Sequence, residues 1–223
     1  MAFDMRNARK SRDLEITGWF ARWYDKNTRK NRLAEMREYA AEAKRYLRES
    51  ARLLEVAPGP GYFSIELAKM GDFRITGMDI SPDFVEICKA NAARENVAVD
   101  FVQGNVSAMP FESDTFDFIF CSAAFKNFKE PVLALEEMRR VLKPQGIALI
   151  IDMNHGATKA QLNAEAEKIS KSGIERWFMK ATFKSLCKGA YSKSEFAEMI
   201  RRTGFTKNEI KEKGIGFYVY LHK

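Results

Sequence analysis

The segment from Leu53 to Met70, LLEVAPGPGYFSIELAKM, restricts the fold more than any other part of the chain. A short apolar run enters a Gly/Pro turn and leaves as a helical pattern, so a buried strand must hand over to a helix almost at once. Gly59 and Gly61 permit positive φ in that turn and let a ligand approach the backbone with no Cβ in the way. Such a turn is a ligand platform. The phosphate-cradling pattern G-x-x-x-x-G-K-[ST] is absent, and the dinucleotide pattern G-x-G-x-x-G breaks at Ser64, which leaves NAD a weak alternative.

From Arg52 onward short β-branched runs alternate with longer amphipathic stretches. Strands are expected at 52–57, 74–80, 99–105, 116–123 and 147–153. Ser81-Pro82 opens one intervening helix as N-cap and first-turn proline, and Leu135, Met138 and Leu142 mark another that ends before Pro144-Gln145-Gly146. This βα alternation predicts an α/β fold, doubly wound about a mostly parallel sheet, and the tail, TKNEIKEK then FYVYLHK, adds an antiparallel hairpin. Residues 1–50 carry two helical stripes and no strand pattern. Ile16, Trp19, Phe20 and Trp23 form the first stripe, which suits either core packing or a lid over a pocket. A helical stretch over 158–188, within an inserted cap of about 154–200, follows the fifth strand, and Ser192-Lys193-Ser194-Glu195 has capping-box spacing. The expected division is a helical lid at 1–50 and an α/β domain at 51–223.

Composition narrows the function classes. With 46% hydrophobic residues and 17 Phe, the 223-residue chain can bury a full core, which excludes disorder. No apolar run reaches the roughly 18 residues of a membrane span, and the first ten residues lack a signal-peptide stretch, so a cytoplasmic protein is expected. Three cysteines at wide spacings suggest neither disulfides nor a metal site. The net charge of +7 is uneven: 13 basic against 8 acidic residues in 1–50, 10 against 15 in 51–153, and 14 against 7 in 154–223. Basic flanks leave nucleic acid a possible but unfavoured partner, solvated helix faces being the commoner cause. The sequence does not indicate an oligomeric state.

The second strand ends in Gly77-Met78-Asp79-Ile80, placing a carboxylate at the sheet edge where ligands of doubly wound folds sit. Asp79 there can accept hydrogen bonds from both hydroxyls of a ribose. Four segments in order then carry a resemblance: Glu55 to Gly61 (EVAPGPG), Asp79, Gly104 to Asp117 (GNVSAMPFESDTFD) and Leu142 to Gly146 (LKPQG). Together they resemble the class I S-adenosylmethionine-dependent methyltransferases, in particular the small-molecule branch that includes the ubiquinone and menaquinone biosynthesis C-methyltransferases. The resemblance covers 52 to about 153 and implies a Rossmann-like seven-stranded sheet, S-adenosylmethionine as cofactor and S-adenosylhomocysteine as product.

Carried over position by position, the resemblance implies that Ala57, Gly59 and Gly61 line the methionine part of the cofactor, with Glu55 holding the loop or reaching the amino group. Asp79 would bind the ribose, Ile80 would pack on the adenine, Asn105 and Val106 would face the adenine edge, and Ser122 with Ala123 would lie under the sulfonium. Tyr24, in Trp23-Tyr24-Asp25, resembles an aromatic-Asp pair of a lid in relatives. This chain departs from the family pattern at Ala57-Pro58, where Pro58 removes one N–H, at Asn105 in place of Asp, and at Phe125-Lys126-Asn127-Phe128 in place of a His pair.

Methyl transfer from a sulfonium is an in-line displacement with an activated donor, so alignment and exclusion of water matter most and a base is optional. His155, just past the fifth strand, is the candidate base; Trp19, Phe125 and Trp177 are the aromatic candidates for the acceptor pocket. The acceptor is expected to be a small molecule. RNA or protein methylation, and a cofactor-binding protein without turnover, are the alternatives.

Overall fold

The computed structural model describes residues 15–169 and 172–223; the first part of the expected N-terminal lid, and the segment read for a signal peptide, lie outside them. Helices α1 (Gly18–Asn31) and α2 (Leu33–Lys44) precede β1 (Arg52–Val56), α3 (Tyr62–Ala68), β2 (Arg74–Asp79), α4 (Pro82–Arg94) and β3 (Asp100–Gln103). Then follow β4 (Phe116–Ser122), α5 (Pro131–Val141), β5 (Leu142–Met153), α6 (Lys159–Ile169), α7 (Gly173–Gly189), α8 (Lys193–Arg201), β6 (Lys207–Lys213) and β7 (Gly216–His222).

The seven strands form one sheet in the order β3-β2-β1-β4-β5-β7-β6. β1, β2, β3, β4 and β5 pair in parallel, whereas β7 runs antiparallel to both β5 and β6. Side chains alternate across the sheet, as a strand period of two requires, except at the register shift between Phe116 and Phe118. Leu53, Phe118, Phe120 and Leu149 meet α2, α3 and α4 on one face, while Leu54, Ile119, Cys121 and Ile150 meet α5 and α8 on the other. The strands are near-continuously apolar because both faces are covered. At the centre of the first layer the rings of Phe63 and Phe120 stack with centroids 3.7 Å apart.

The local signals act as their chemistry dictates. Ser81 Oγ accepts from the Phe84 amide at 3.3 Å above Pro82, and Ser192 and Glu195 form a reciprocal capping box. Three boundaries differ from the sequence reading. β5 begins at Leu142 because Leu142 pairs with Phe116 before the register jumps to Phe118 and Ile147, so Lys143–Gly146 is an irregularity within the strand rather than a turn before it. The expected stretch 158–188 is two helices, α6 and α7, packed together through Ala166, Phe183 and Cys187. α8, assigned to the cap from sequence, buries Phe196, Met199 and Ile200 against the sheet and belongs to the core.

Candidate cofactor and substrate site

β1 has β2 on one side and β4 on the other, so the chain winds away from it in both directions and leaves a crevice at the strands' carboxyl ends. The crevice is a cavity of about 980 Å3, counting its open mouth. Its floor is the turn after β1. Ala57 and Gly59 have φ of +54° and +55°, and a Cβ on Gly59 would face Tyr24 at 3.7 Å, so this glycine borders the cavity. Gly61 acts differently: at φ +79° it caps α3, and a Cβ there would meet Cys88 Sγ at 2.9 Å. It lets the turn pack against α4 and does not line the cavity, which corrects its expected ligand contact.

Two buried carboxylates shape the turn. Asp79 Oδ1 accepts from the Ser81 amide at 2.9 Å and Oδ2 from the Gly59 amide at 3.1 Å. Burial raises its carboxyl above the usual range, against the pull of these amides. Glu55 Oε2 accepts from the Ser64 amide at 3.2 Å and hydroxyl at 2.5 Å, tying β1 to the first turn of α3. Desolvation pushes the Glu55 carboxyl up to about 7, opposed by the Ser64 bonds and aided by the Asp79 charge. The protonated Cys88 thiol, whose pKa burial lifts well above 9, donates to the Gly59 carbonyl at 2.9 Å.

α1 covers the turn. Its Asp25 Oδ1 accepts from Tyr62 Oη at 2.7 Å and from Asn91 Nδ2 at 2.9 Å, and the same Asn91 amide donates to the Pro60 carbonyl at 2.9 Å. The segment before α1 is strapped to α4 by Ser81 Oγ donating to the Ile16 carbonyl at 2.6 Å. The face so presented to the cavity is Tyr24, Thr28, Arg32 and Met36, at successive spacings of four across the α1–α2 junction. Thr28 is 4% exposed, and its hydroxyl has no hydrogen-bond partner among the described residues. Arg32 Nε donates to Glu35 Oε2 at 2.7 Å.

The far wall comes from the loops after β3 and β4. Asn105 and Val106 line it, but Asn105 Oδ1 already accepts from the Ser107 amide at 2.8 Å and so also shapes its own turn. Past Ser122 the loop is held by Lys126: its amide donates to Asp152 Oδ2 at 2.8 Å, its Nζ to Asp152 Oδ1 at 3.2 Å and to the Ala123 carbonyl at 2.5 Å. This anchoring turns Asn127 and Phe128 toward the cavity.

Of the residues singled out from sequence, Tyr24, Glu55, Ala57, Gly59, Asp79, Ile80, Asn105, Val106 and Ser122 meet around this one cavity. Four others besides Gly61 do not. Trp19 is 72% exposed because α1 turns its Ala21, Tyr24 and Thr28 face inward. Trp177 is 64% exposed on α7, while Phe125 is fully buried against Phe128, Tyr191 and Phe196 behind the cavity wall. His155 is exposed, its amide donating to the Tyr191 carbonyl and its Nδ1 lying 3.3 Å from the Cys187 carbonyl, away from the cavity lining. Thr28, Arg32, Met36 and Phe128 were missed. For Thr28, Arg32 and Met36 the signal was the period of four continuing from Tyr24, which the stronger aromatic stripe of Trp19, Phe20 and Trp23 obscured; Phe128, in the loop after β4, carried no such period.

Residues 54–150 match the family model described as "Methyltransferase domain". The chain carries a class I methyltransferase fold. A candidate S-adenosyl-L-methionine-dependent methyltransferase of Methanococcus maripaludis superposes with a TM-score of 0.71 at 24% identity, covering 94% of this chain and 96% of that one. The demethylmenaquinone methyltransferase of Deinococcus radiodurans is 31% identical over 114 residues, 51% of this chain and 47% of that protein. A Staphylococcus aureus protein of the same name is 34% identical over 109 residues, 48% and 44% respectively. The chain spans about half the length of the curated relatives it matches. The match to the family model runs from β1 into β5 and leaves α1, α2 and α6 to β7 outside it. Among its described residues no helix is long and apolar enough to cross a membrane, and no cluster of metal-ligating side chains occurs.

Proposed function

We propose that this chain is an S-adenosylmethionine-dependent methyltransferase acting on a small, largely apolar acceptor in the cytoplasm. The observation that carries the reading is the shared placement of Asp79 and the Gly59 turn at the crevice where the strand order reverses. The residues present fit the cofactor. Glu55 and Asp79 put negative charge on one side of the cavity, Arg32 puts positive charge on another, and the Thr28 hydroxyl is a buried polar atom with no partner among the described residues. That set suits a ligand with a ribose, an ammonium and a carboxylate. When bound, S-adenosylmethionine supplies a methyl group already activated by a sulfonium.

The chain's own task is then to hold the acceptor in line and exclude water. Tyr24, Phe84 and Phe128 offer the apolar wall, and the Asp25 to Tyr62 and Asn91 clamp keeps α1 closed over it. No histidine lines the cavity, so His155 as a base gives way to an acceptor that is already nucleophilic, for which the relatives' demethylmenaquinone in its reduced form is the first candidate. The three free, buried cysteines accord with a reducing compartment. The Lys126-Asn127-Phe128 loop in place of a His pair favours, as second reading, a protein that binds the cofactor without turnover.

Calorimetric titration with S-adenosylmethionine, S-adenosylhomocysteine and NAD, alongside Asp79→Ala, tests the cofactor. Binding of both adenosyl ligands and not NAD, abolished by the substitution, supports the reading; NAD binding alone overturns it. Adenosyl binding with no S-adenosylhomocysteine formed across an acceptor series favours the second reading.

A further inference from the structure

All three tryptophans of the chain face solvent: Trp19, Trp23 and Trp177 are 72%, 46% and 64% exposed. Each stands in a cluster. On α1 the rings of Phe20 and Trp23 stack at 5.3 Å; on α7 Trp177 and Phe178 meet edge to face at 5.1 Å beside Ile174, which is 74% exposed. Each cluster is also flanked by cations at helical spacing. Arg22, Lys26 and Lys30 form a row along α1, and Arg176, Lys180, Lys184 and Lys188 form one along α7, where Glu175 is the one acid. Arg176 is engaged by Glu167, but Arg22, Lys26, Lys30, Lys180, Lys184 and Lys188 make no ion pair with any described residue.

Topology brings the two helices that carry these patches to one edge of the sheet. α1 roofs the cavity at the carboxyl ends of β1, β2 and β4. α6 and α7 pack through Phe183 and Cys187 near Met153, the last residue of β5, and Ile215 in the turn into β7. Both therefore rise from the sheet edge that holds the cavity.

We propose that these two faces dock this protein on an anionic phospholipid bilayer, with the cavity's edge toward the membrane. Indole rings are the side chains best suited to the boundary between acyl chains and water, and unpaired lysines beside them meet anionic headgroups. A protein partner would need shape matched to two separate helices; a bilayer needs only coplanar apolar tips and positive charge. The cations of these rows other than Arg176 decide for a charged bilayer over an uncharged apolar surface. This docking does not depend on what the cavity transfers, so it can fail while the proposed activity stands.

Because every tryptophan lies in the patches, intrinsic fluorescence reads the docking directly. The full chain is mixed with vesicles of phosphatidylcholine alone or with a third phosphatidylglycerol, with and without brominated acyl chains, and sedimented at low and high salt. The expected result is co-sedimentation and a blue-shifted, bromine-quenched emission with the anionic vesicles only, weakened by salt. Lys180→Gln/Lys184→Gln/Lys188→Gln is expected to weaken partitioning roughly 100-fold, and Trp177→Ala/Phe178→Ala at least about tenfold, each with unchanged thermal stability and S-adenosylhomocysteine affinity. Unchanged emission and no sedimentation with anionic vesicles overturns the proposal. So does a dimer by light scattering whose dissociation alone exposes the tryptophans, or RNA binding that the triple variant abolishes while vesicle binding persists.

Discussion

Asp79 Oδ2 accepts a hydrogen bond from the Gly59 amide at 3.1 Å, so the carboxylate proposed to meet a ribose is also the anchor of the turn that floors the cavity. Ligand contact and loop shape are thus properties of one side chain. Asp79→Ala removes both and leaves the Gly59 and Ser81 amides without their acceptor; charge-assisted hydrogen bonds of this kind are each worth roughly 1.5–3 kcal/mol. The expected outcome in calorimetry is a loss of S-adenosylhomocysteine affinity of about 100-fold or more. Asp79→Asn, which keeps one acceptor oxygen and no charge, should fall between the two.

Glu55 gives the site a pH dependence with a definite sign. Its carboxyl is raised from an ordinary value near 4.5 to about 7 in the folded chain, so between those values the native state binds more protons than the unfolded chain. Stability from this group is therefore greatest below about pH 4.5 and is lost as pH rises toward 7, by roughly 3 kcal/mol in all. Glu55→Gln should flatten that stretch of the profile in denaturant titrations. A cationic ligand beside Glu55 favours the ionised form, so cofactor affinity should rise from pH 6 to 8 with release of a proton, visible as a dependence of the binding enthalpy on buffer ionisation. Glu55→Gln should abolish both.

The Lys126–Asp152 pair holds the wall that takes the place of a His pair. Lys126 is 11% and Asp152 3% exposed at the side chain, so removing one charge strands the other. Lys126→Met should cost about 3 kcal/mol, the lower end for buried pairs because the Lys126 and Met153 amides still reach the carboxylate. In a chain of 223 residues that lowers Tm by roughly 6–12 °C. Lys126→Met/Asp152→Asn should recover part of the loss, and a thermal double-mutant cycle measures the coupling.

The sheet was legible because its code is local. Alternation at Leu53–Leu54 and Phe118–Cys121, the Ser81-Pro82 start and the Ser192/Glu195 box each act over a few residues, and the structure keeps them. Much of the cavity lining followed, since Glu55 and Asp79 lie on β1 and β2 and Gly59 in the turn after β1, whose placement the strand order fixes. The lid was not legible in the same way. Helical spacing gives a stripe but not its direction, and Asp25, which selects the inward face through Tyr62 and Asn91, is 37 and 66 residues from those partners. Nor does sequence show that His155 is drawn to the Cys187 and Tyr191 carbonyls, because that depends on how α7 and α8 return to the end of β5.

Thr28 separates binding from folding. Its hydroxyl is buried without a partner among the described residues, which costs the free protein roughly 1–3 kcal/mol relative to a satisfied group. Thr28→Val replaces the hydroxyl with a methyl of nearly the same shape, so the folded state loses no hydrogen bond and sheds a desolvated polar atom. Stability in denaturant should stay level or rise by up to about 1 kcal/mol. If the hydroxyl completes a ligand contact, the same substitution should weaken S-adenosylhomocysteine binding by about 5- to 30-fold, while Thr28→Ser restores it. A structural threonine with no ligand would give the opposite pair of results, with stability moved and affinity untouched.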